Sequence, residues 1–284
     1  MTFSIVGRSG GELGVAVASK FLAAGALVPA VDAGAGALAS QAFSNQSYRP
    51  DGLALLREGR SADETVATLT GADELREHRQ LGVVALSGPG ANFTGEKCLQ
   101  WAGGCAGDGY AIQGNILAGQ EVVAEMERAW LAGGAQPLAR RLLAALVAGD
   151  SAGGDRRGRQ SAALVVASPG AGYGRYDIAA DLRVDDHAAP VGELRRLLEL
   201  HEFYFGRPDL SSAVTLEGSV LKEVRGLLTS VGYPPAGGGA GGEAVEVALA
   251  EWASMENLEM RYAGGGLLDK LVLDFLRRRS AESA

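Results

Sequence analysis

The second residue of the chain combines two groups that could do chemistry together. Thr2 carries a hydroxyl, and removal of Met1 would leave the residue's own α-amino group beside it. An α-amine has a pKa near ~7.7–8, so it can accept the hydroxyl proton near neutral pH. One residue would then supply both a nucleophile and its base. The alternative is that Thr2 only begins a β-strand, where threonine is common, and retention of Met1 would block the amine.

Polar side chains follow two of the apolar segments that we predict as strands. Gln41 and Asn45 come after the small-residue segment 35–39, and Gln113 and Asn115 come after 110–112. Amide N–H groups can donate to the oxyanion that develops when a nucleophile attacks a carbonyl. We therefore predict Asn45 and Asn115 as catalytic oxyanion donors, and Gln41 and Gln113 as substrate contacts. Turn chemistry is the competing explanation, because Asn and Ser favour turns in any protein.

A dense charged cluster lies on a glycine-rich stretch between a predicted helix and a predicted strand. It includes Asp155, Arg156 and Arg159, and arginine can bind carboxylate or phosphate through two parallel hydrogen bonds. We predict that these residues bind an acidic or amide-bearing ligand. The alternative is an ion-pair network that fastens the loop, or a dimer contact. His78 opens a predicted strand and is assigned to substrate binding, although a lone histidine is more often structural.

The composition excludes several classes of protein. The 284-residue chain has a formal net charge of -8 and a sequence pI ≈ 5.0, which argues against general binding to nucleic acids or anionic membranes. Two cysteines and three scattered histidines show no metal-ligand spacing, so we expect no metal or other cofactor. Neither a secretory signal nor an apolar stretch long enough to span a bilayer is visible. We therefore expect a cytoplasmic protein with reduced thiols.

Hydrophobic periodicity predicts helices that come in consecutive pairs between groups of strands. The predicted strands are 3–6, 13–18, 28–31, 35–39, 81–86, 91–94, 110–112, 162–166 and 178–184, and the predicted helices are 51–57, 62–69, 121–131, 137–147 and 191–205. This order disfavours folds in which one helix follows each strand. It favours two antiparallel-rich sheets covered by helix pairs, which is an α/β (α+β) fold in the form of a four-layer αββα sandwich.

The composition changes after residue 206. Helices are predicted over 216–228, 243–258 and 267–279, and the glycine-rich run 236–242 is predicted to be a flexible loop. We therefore predict one domain over 1–206 and a small helical domain over 207–284. Trp252 and Tyr262 would fill the core of the small domain or form a ligand platform.

Five separate stretches, in the right order, carry a resemblance to a known family. They are residues 2–6 (TFSIV), 14–19 (GVAVAS), 78–82 (HRQLG), 110–115 (YAIQGN) and 153–161 (GGDRRGRQS). From residue 2 to about 205 the chain resembles the bacterial and archaeal family known as the domain of unknown function numbered 1028, which is similar to the N-terminal-nucleophile hydrolases. The tail from about residue 209 resembles a peptidoglycan-binding module.

The resemblance implies the αββα sandwich of the N-terminal-nucleophile hydrolases, with Thr2 as the nucleophile. It also implies that Ser19, at the end of the second strand, lies beside Thr2 as a catalytic residue. An acid is often found at that strand end in the superfamily. Because this chain has Ser19 there instead, the usual acid–lysine relay is in doubt.

Three interpretations of function follow. In the first, the protein is an amidohydrolase in which Thr2 attacks a small polar or anionic amide or peptide-like substrate. In the second, the same fold binds a small metabolite or cell-wall fragment without turnover, which the missing acid near Ser19 favours. In the third, the protein is a structural oligomer with no ligand. We expect a homodimer or larger homo-oligomer in each case, because such sandwiches often assemble through their faces or edges.

Overall fold

The computed structural model describes residues 2–236 and 242–282 of the chain. Met1, and most of the loop predicted over 236–242, lie outside the described residues. Contacts divide the chain into two compact units, one up to Leu198 and one from Glu199. The first unit is mixed α/β with antiparallel sheets, and it holds all the residues predicted for the site.

Strand groups and helix pairs alternate along the first unit. Its elements are, in chain order, β1 (Thr2–Ser9), β2 (Glu12–Ser19), α1 (Ala24–Leu27), β3 (Pro29–Asp32), β4 (Gly36–Ala42), α2 (Tyr48–Arg57), α3 (Ala62–Gly71), β5 (Arg79–Ala85), β6 (Ala91–Thr94), β7 (Gly103–Gly107), β8 (Tyr110–Asn115), α4 (Glu121–Ala132), α5 (Leu138–Ser151), β9 (Ser161–Ala167), β10 (Ile178–Val184) and the first part of α6 (Pro190–Phe205), a helix that continues beyond Leu198. Strand β7 is absent from the predicted elements, because its sequence, Gly-Gly-Cys-Ala-Gly, has no β-branched or aromatic residue.

The larger sheet has six strands in the order β10-β9-β2-β1-β8-β7. Helices α4 and α5 and the first turns of α6 pack on one of its faces, through a cluster that includes Phe3, Ile5 and Trp130. A glycine is required where β1 passes under α4, since a Cβ on Gly7 would lie 2.5 Å from the Trp130 ring. Strands β1 and β2 lie in the middle of this sheet, with the helices on one face and the smaller sheet on the other.

The smaller sheet has four strands in the order β3-β4-β5-β6. Helices α2 and α3 pack against it through a cluster that includes Leu38, Leu69 and Leu81. Helix α3 begins at a capping box: Ser61 Oγ accepts the Glu64 N–H at 3.2 Å, and Glu64 Oε2 accepts the Ser61 N–H at 2.8 Å.

A third apolar cluster contains side chains from both sheets. Its members are mostly alanine and valine: Val6, Leu13, Val15, Val17, Ala24, Val28, Ala37, Ala39, Val84, Ala111 and Ala163. Successive side chains of a strand point to opposite faces. Because Val6 belongs to this cluster while Phe3 and Ile5 pack on the helices, Thr2 and Ser4 point towards the smaller sheet. One end of the layer between the sheets is thus apolar, and the other end is polar.

The second unit is mainly helical. Its elements are β11 (Val214–Thr215), α7 (Gly218–Ser230), α8 (Gly242–Met255), β12 (Leu267–Leu268) and α9 (Lys270–Glu282). Trp252 is buried in its apolar core, which is the first of the two roles considered for this side chain. A buried ion pair, with Arg261 Nη1 at 2.8 Å from Asp269 Oδ2, lies in the same unit.

Candidate functional site

A row of four polar residues runs across one end of the six-stranded sheet. Thr2 on β1 is paired in register with Asn115 on β8, and Ser19 on β2 is paired with Ser161 on β9. The register of β1 with β2 places Thr2 beside Ser19. Thr2 therefore lies between Ser19 on one neighbouring strand and Asn115 on the other, so the structure brings together three of the four residues predicted to be catalytic.

The two hydroxyls in the middle of the row are in contact. Thr2 Oγ1 is 3.1 Å from Ser19 Oγ, and either atom could be the donor. Ser161 has a different role, because its Oγ donates to Phe21 O at 2.6 Å and accepts the Ala24 N–H at 3.1 Å. Ser19 therefore orients the Thr2 hydroxyl, while Ser161 holds the backbone that follows β2.

Buried amide side chains continue the polar region into the layer between the sheets. Ser4 Oγ donates to Gln41 Oε1 at 2.7 Å and accepts from Gln113 Nε2 at 2.6 Å. Gln41 Nε2 donates in turn to the backbone oxygen of Thr2 at 3.3 Å. Gln41 and Gln113 are thus buried among protein groups, and substrate contact by these two residues stays a prediction that their surroundings do not favour.

Gln80 on β5 joins the amides of the two sheets. Its Oε1 accepts from Asn115 Nδ2 at 2.9 Å and from Gln41 Nε2 at 2.8 Å. Its Nε2 donates to Gly114 O at 2.7 Å and to Thr94 Oγ1 at 2.9 Å. The side chain that flanks Thr2 on β8 is therefore held by a residue of the opposite sheet.

Asn45 lies in a different cluster, which is centred on Asp73. Asp73 Oδ2 accepts from Asn45 Nδ2 at 3.2 Å, from Tyr48 OH at 2.9 Å and from Arg79 Nε at 2.9 Å. The Arg79 guanidinium is the largest of the causes that hold the pKa of Asp73 well below its usual range, whereas burial and then Asp73 raise the pKa of Tyr48. Asn45 and Thr2 are not hydrogen-bonded to each other in the described structure, so a catalytic role for Asn45 stays a prediction without a contact behind it.

The arginine-rich loop is fastened mainly to its own surroundings. Asp155 accepts the Lys20 N–H at 2.8 Å and is 3.1 Å from the Arg157 guanidinium, and Arg159 Nε donates to Asp150 at 2.7 Å. Asp155 and Arg159 line a cavity of ≈ 80 Å³, which has room only for a few water molecules. Arg156 and Arg159 are both exposed, but Arg159 is paired with Asp150, so Arg156 is the arginine of this predicted set that could receive an anionic ligand.

Two parts of the chain match models of known protein families. Residues 2–194 match the model described as "Family of unknown function (DUF1028)". The chain belongs to this family. A crystal structure of a DUF1028 protein from Silicibacter pomeroyi matches 71% of this chain and 86% of that one, with 33% sequence identity and a TM-score of 0.65. Residues 204–276 match the model described as "Putative peptidoglycan binding domain". No curated protein matches the chain.

The DUF1028 match confirms the resemblance seen in the five sequence stretches, and it extends over every predicted site residue. Its description names no activity, so the chemistry of the site has to be argued from the residues themselves. His78 is predicted to bind substrate, but its ring packs edge-on against Phe43, with centroids 6.5 Å apart, and not against the row of polar residues. The side chain is half-buried.

Sequence reasoning missed Ser4 and Gln80 in this DUF1028 chain. Ser4 is the polar exception in an apolar strand, and the alternation of side chains would have put it on the same face as Thr2. Gln80 lies at the second position of β5, and no signal in the sequence reports which strand of the other sheet it faces.

In residues 2–236 and 242–282, no group of three or more His, Cys, Asp or Glu side chains could hold a metal ion. Within the same ranges no helix combines the length and the hydropathy that crossing a membrane requires.

Proposed function

We propose that this chain is an N-terminal-nucleophile amidohydrolase, in which Thr2 becomes the nucleophile after Met1 is removed. One observation carries the proposal: the Thr2 hydroxyl is held 3.1 Å from Ser19 Oγ, on a strand whose other neighbour places Asn115 in register with it. The three successive apolar clusters, with helices on the outer side of each sheet, support the αββα sandwich that such enzymes have.

The proposed reaction uses groups that are already next to one another. The free α-amine of Thr2 takes the proton of Oγ1 as this oxygen attacks the amide carbonyl. One N–H of Asn115 Nδ2 donates to Gln80, and the other stabilises the oxyanion. The amine then gives its proton to the departing nitrogen, which leaves an ester on Thr2. Water hydrolyses this ester and restores the hydroxyl.

The proposed substrate is a small polar or anionic amide. Arg156 is an exposed cation of the loop, and its backbone N–H donates to Ile116 O at 3.1 Å, next to Asn115 at the end of β8. Arginine at such a place suits a carboxylate on the substrate. Arg159, which is paired with Asp150, contributes charge only indirectly.

The test needs no knowledge of the natural substrate. A β-lactone acylates an activated hydroxyl by opening its strained ring, so the whole probe mass adds to the protein. Intact mass should show loss of Met1 and the addition of one probe, and peptide mapping should place the probe on Thr2. Thr2→Ser keeps a hydroxyl and should still react, whereas Thr2→Ala should fold and not react.

Retention of Met1 in the purified protein would refute the mechanism, because the amine would then be an amide. Labelling of Thr2→Ala at the same rate as wild type would refute the assignment of the nucleophile. A panel of N-acyl amino acids and small amides, read by release of the amine, then defines the substrate.

A second candidate function is binding without turnover. It is favoured by the match of residues 204–276 to a peptidoglycan-binding model, and by a Thr2 side chain that is buried and hydrogen-bonded to a serine. Under this alternative, muropeptides or N-acyl amino acids raise the melting temperature, while neither hydrolysis nor β-lactone labelling occurs.

We also propose that the protein is cytoplasmic and assembles as a homodimer or larger homo-oligomer. The cysteines Cys98 and Cys105 are both free thiols, which suits a reducing compartment. Strands β10 and β7 form the edges of the six-stranded sheet, and an unpaired edge can pair with a second copy. Light scattering after size exclusion measures the number of copies.

A further inference from the structure

Gln80 lies in the layer between the sheets, and both ends of its side-chain amide are hydrogen-bonded. It is fully buried, its Oε1 accepts two hydrogen bonds, and its Nε2 donates to Gly114 O and Thr94 Oγ1. A flipped amide would set its oxygen against the backbone oxygen of Gly114, which can only accept. The hydrogen bonds therefore assign the orientation of this amide without ambiguity.

The orientation of Gln80 decides the orientation of Asn115. The acceptor Oε1 of Gln80 lies 2.9 Å from Nδ2 of Asn115, so the donor end of the Asn115 amide is the end held in the polar layer. An oxyanion needs a donor there, because the Asn115 oxygen at that place would repel it. Both neighbours of Gln80 thus matter to Thr2: Asn115 is its register partner, and Gln41 donates to its backbone oxygen.

We propose that Gln80 is a positioning residue of the reaction, which acts through Asn115. This inference rests on the proposed function. Gln80 belongs to the smaller sheet, whereas Thr2 and Asn115 belong to the larger one. The catalytic geometry would then depend on how the two sheets are packed together, and not on the strand β8 alone.

The first test separates positioning from binding and from folding. The rate of β-lactone labelling of Thr2 is measured against probe concentration, which gives a limiting rate and a half-saturation concentration. Gln80→Met should lower the limiting rate by roughly 10- to 100-fold, less than the roughly 100- to 1,000-fold cost of removing an oxyanion donor outright. The half-saturation concentration should change less than about 3-fold, because Gln80 touches no probe. Gln136→Met, at an exposed position, is the matched control.

A double-mutant cycle tests whether Gln80 acts through Asn115. In an Asn115→Ala background, Gln80→Met should change the limiting rate less than about 2-fold, since the group that it positions is gone. Equal effects of Gln80→Met in both backgrounds would overturn the proposal, and so would an effect confined to half-saturation. Failure of wild type to label at Thr2 is a separate result: it refutes the proposed function, and this inference with it.

A spectroscopic readout does not depend on turnover. The chain has four asparagines, Asn45, Asn92, Asn115 and Asn257, so selective ¹⁵N labelling gives four side-chain amide pairs. Gln80→Met should shift the Asn115 pair and speed its exchange with water, while the Asn45 and Asn257 pairs stay in place. An unchanged Asn115 pair would overturn the proposal.

A second variant guards against loss of the fold. Gln80→Glu keeps the shape of the side chain, and its buried carboxyl should have a raised pKa. While protonated it can both accept from Asn115 and donate to one carbonyl. On ionisation it places a negative charge beside the oxyanion, so its labelling rate should fall below that of wild type as pH rises. A pH profile parallel to that of wild type would contradict the positioning role.

Discussion

Asp73→Asn is the substitution whose cost can best be worked out from the structure. The Asp73 carboxylate accepts from Arg79, Tyr48 and Asn45 on Oδ2, and from the Leu75 N–H on Oδ1 at 2.8 Å. An asparagine has one oxygen in place of two, and its NH₂ group would meet donors. The Arg79 side chain, only 8% exposed, would lose its counter-ion.

Breaking a buried pair by removing one partner costs about 3–5 kcal/mol. Arg79 also donates to the backbone oxygen of Phe43 and lies 4.9 Å from the centroid of its ring, which compensates part of the loss. We therefore expect Asp73→Asn to lower the free energy of unfolding by about 3 kcal/mol at pH 7. Urea denaturation, followed by circular dichroism, measures this difference.

The stability that Asp73 contributes should depend on pH. The pKa of Asp73 is lower in the folded protein than its usual 3.8, chiefly through the hydrogen bond from Arg79. As the pH falls below about 4, the unfolded chain takes up the proton first. The stability that ionised Asp73 contributes is thus complete above that pH and is lost as pH falls towards the folded-state pKa. The gap between wild type and Asp73→Asn should therefore shrink below pH 4.

Glu125→Gln is the matched control, since Glu125 pairs with Arg128 on the surface of α4 and the Arg128 side chain is 70% exposed. Exposed pairs contribute about 0–1 kcal/mol. A loss below about 1 kcal/mol for Asp73→Asn, or a gap that stays constant from pH 6 to pH 2.5, would show that the Asp73 cluster does not stabilise this fold as an ion pair.

Three further predictions concern other parts of the molecule. Gly82→Ala should lower the unfolding free energy by about 1–3 kcal/mol, because its Cβ would lie 2.0 Å from Gln113 Oε1 and displace this buried amide; urea denaturation measures the loss, and an unchanged midpoint would contradict it. Burial raises the pKa of Cys105 to about 12, so iodoacetamide at pH 8 should modify it at least roughly a hundredfold more slowly than a small free thiol, by intact mass. Arg261→Met leaves Asp269 buried without its partner, and a calorimetric melting temperature equal to that of wild type would contradict the expected loss of about 3–5 kcal/mol.

The fold could be predicted from the sequence where periodicity and end signals agree. The strands predicted over 91–94 and 178–184 match β6 and β10, and Ser61 and Glu64 mark the start of α3. Strand β7 could not be predicted, because its β structure comes from pairing with β8 and not from local preference. The helix predicted to end at residue 258 ends at Met255, since Asn257 adopts a positive φ of 59°.

The candidate site, like the fold, could be predicted from the sequence only in part. The family resemblance implies that Ser19 lies beside Thr2, and the structure gives the reason: the tight turn at 10–11 fixes the register of β1 with β2 and so brings Ser19 to Thr2. The contacts between the sheets could not be predicted, because no local rule gives the register of two sheets that are stacked and not hydrogen-bonded. The oxyanion role of Asn45 stays a prediction, and Gln80, which contacts Asn115, is not among the predicted site residues.

The hydrogen bonds of Thr2 bear on which group could act as its base. The Thr2 hydroxyl is hydrogen-bonded to Ser19 Oγ, and a serine hydroxyl is not a base near neutral pH. Lys20 is exposed, and its backbone N–H, not its side chain, is what binds Asp155. In the proposed reaction the base for Thr2 is its own α-amine, which becomes free once Met1 is removed. The role of the buried amides behind Thr2 then depends on Met1. Under the proposed function, a free amine lets these amides position a nucleophile and an oxyanion donor. With a blocked amine they form a hydrogen-bonded polar core that joins the two sheets.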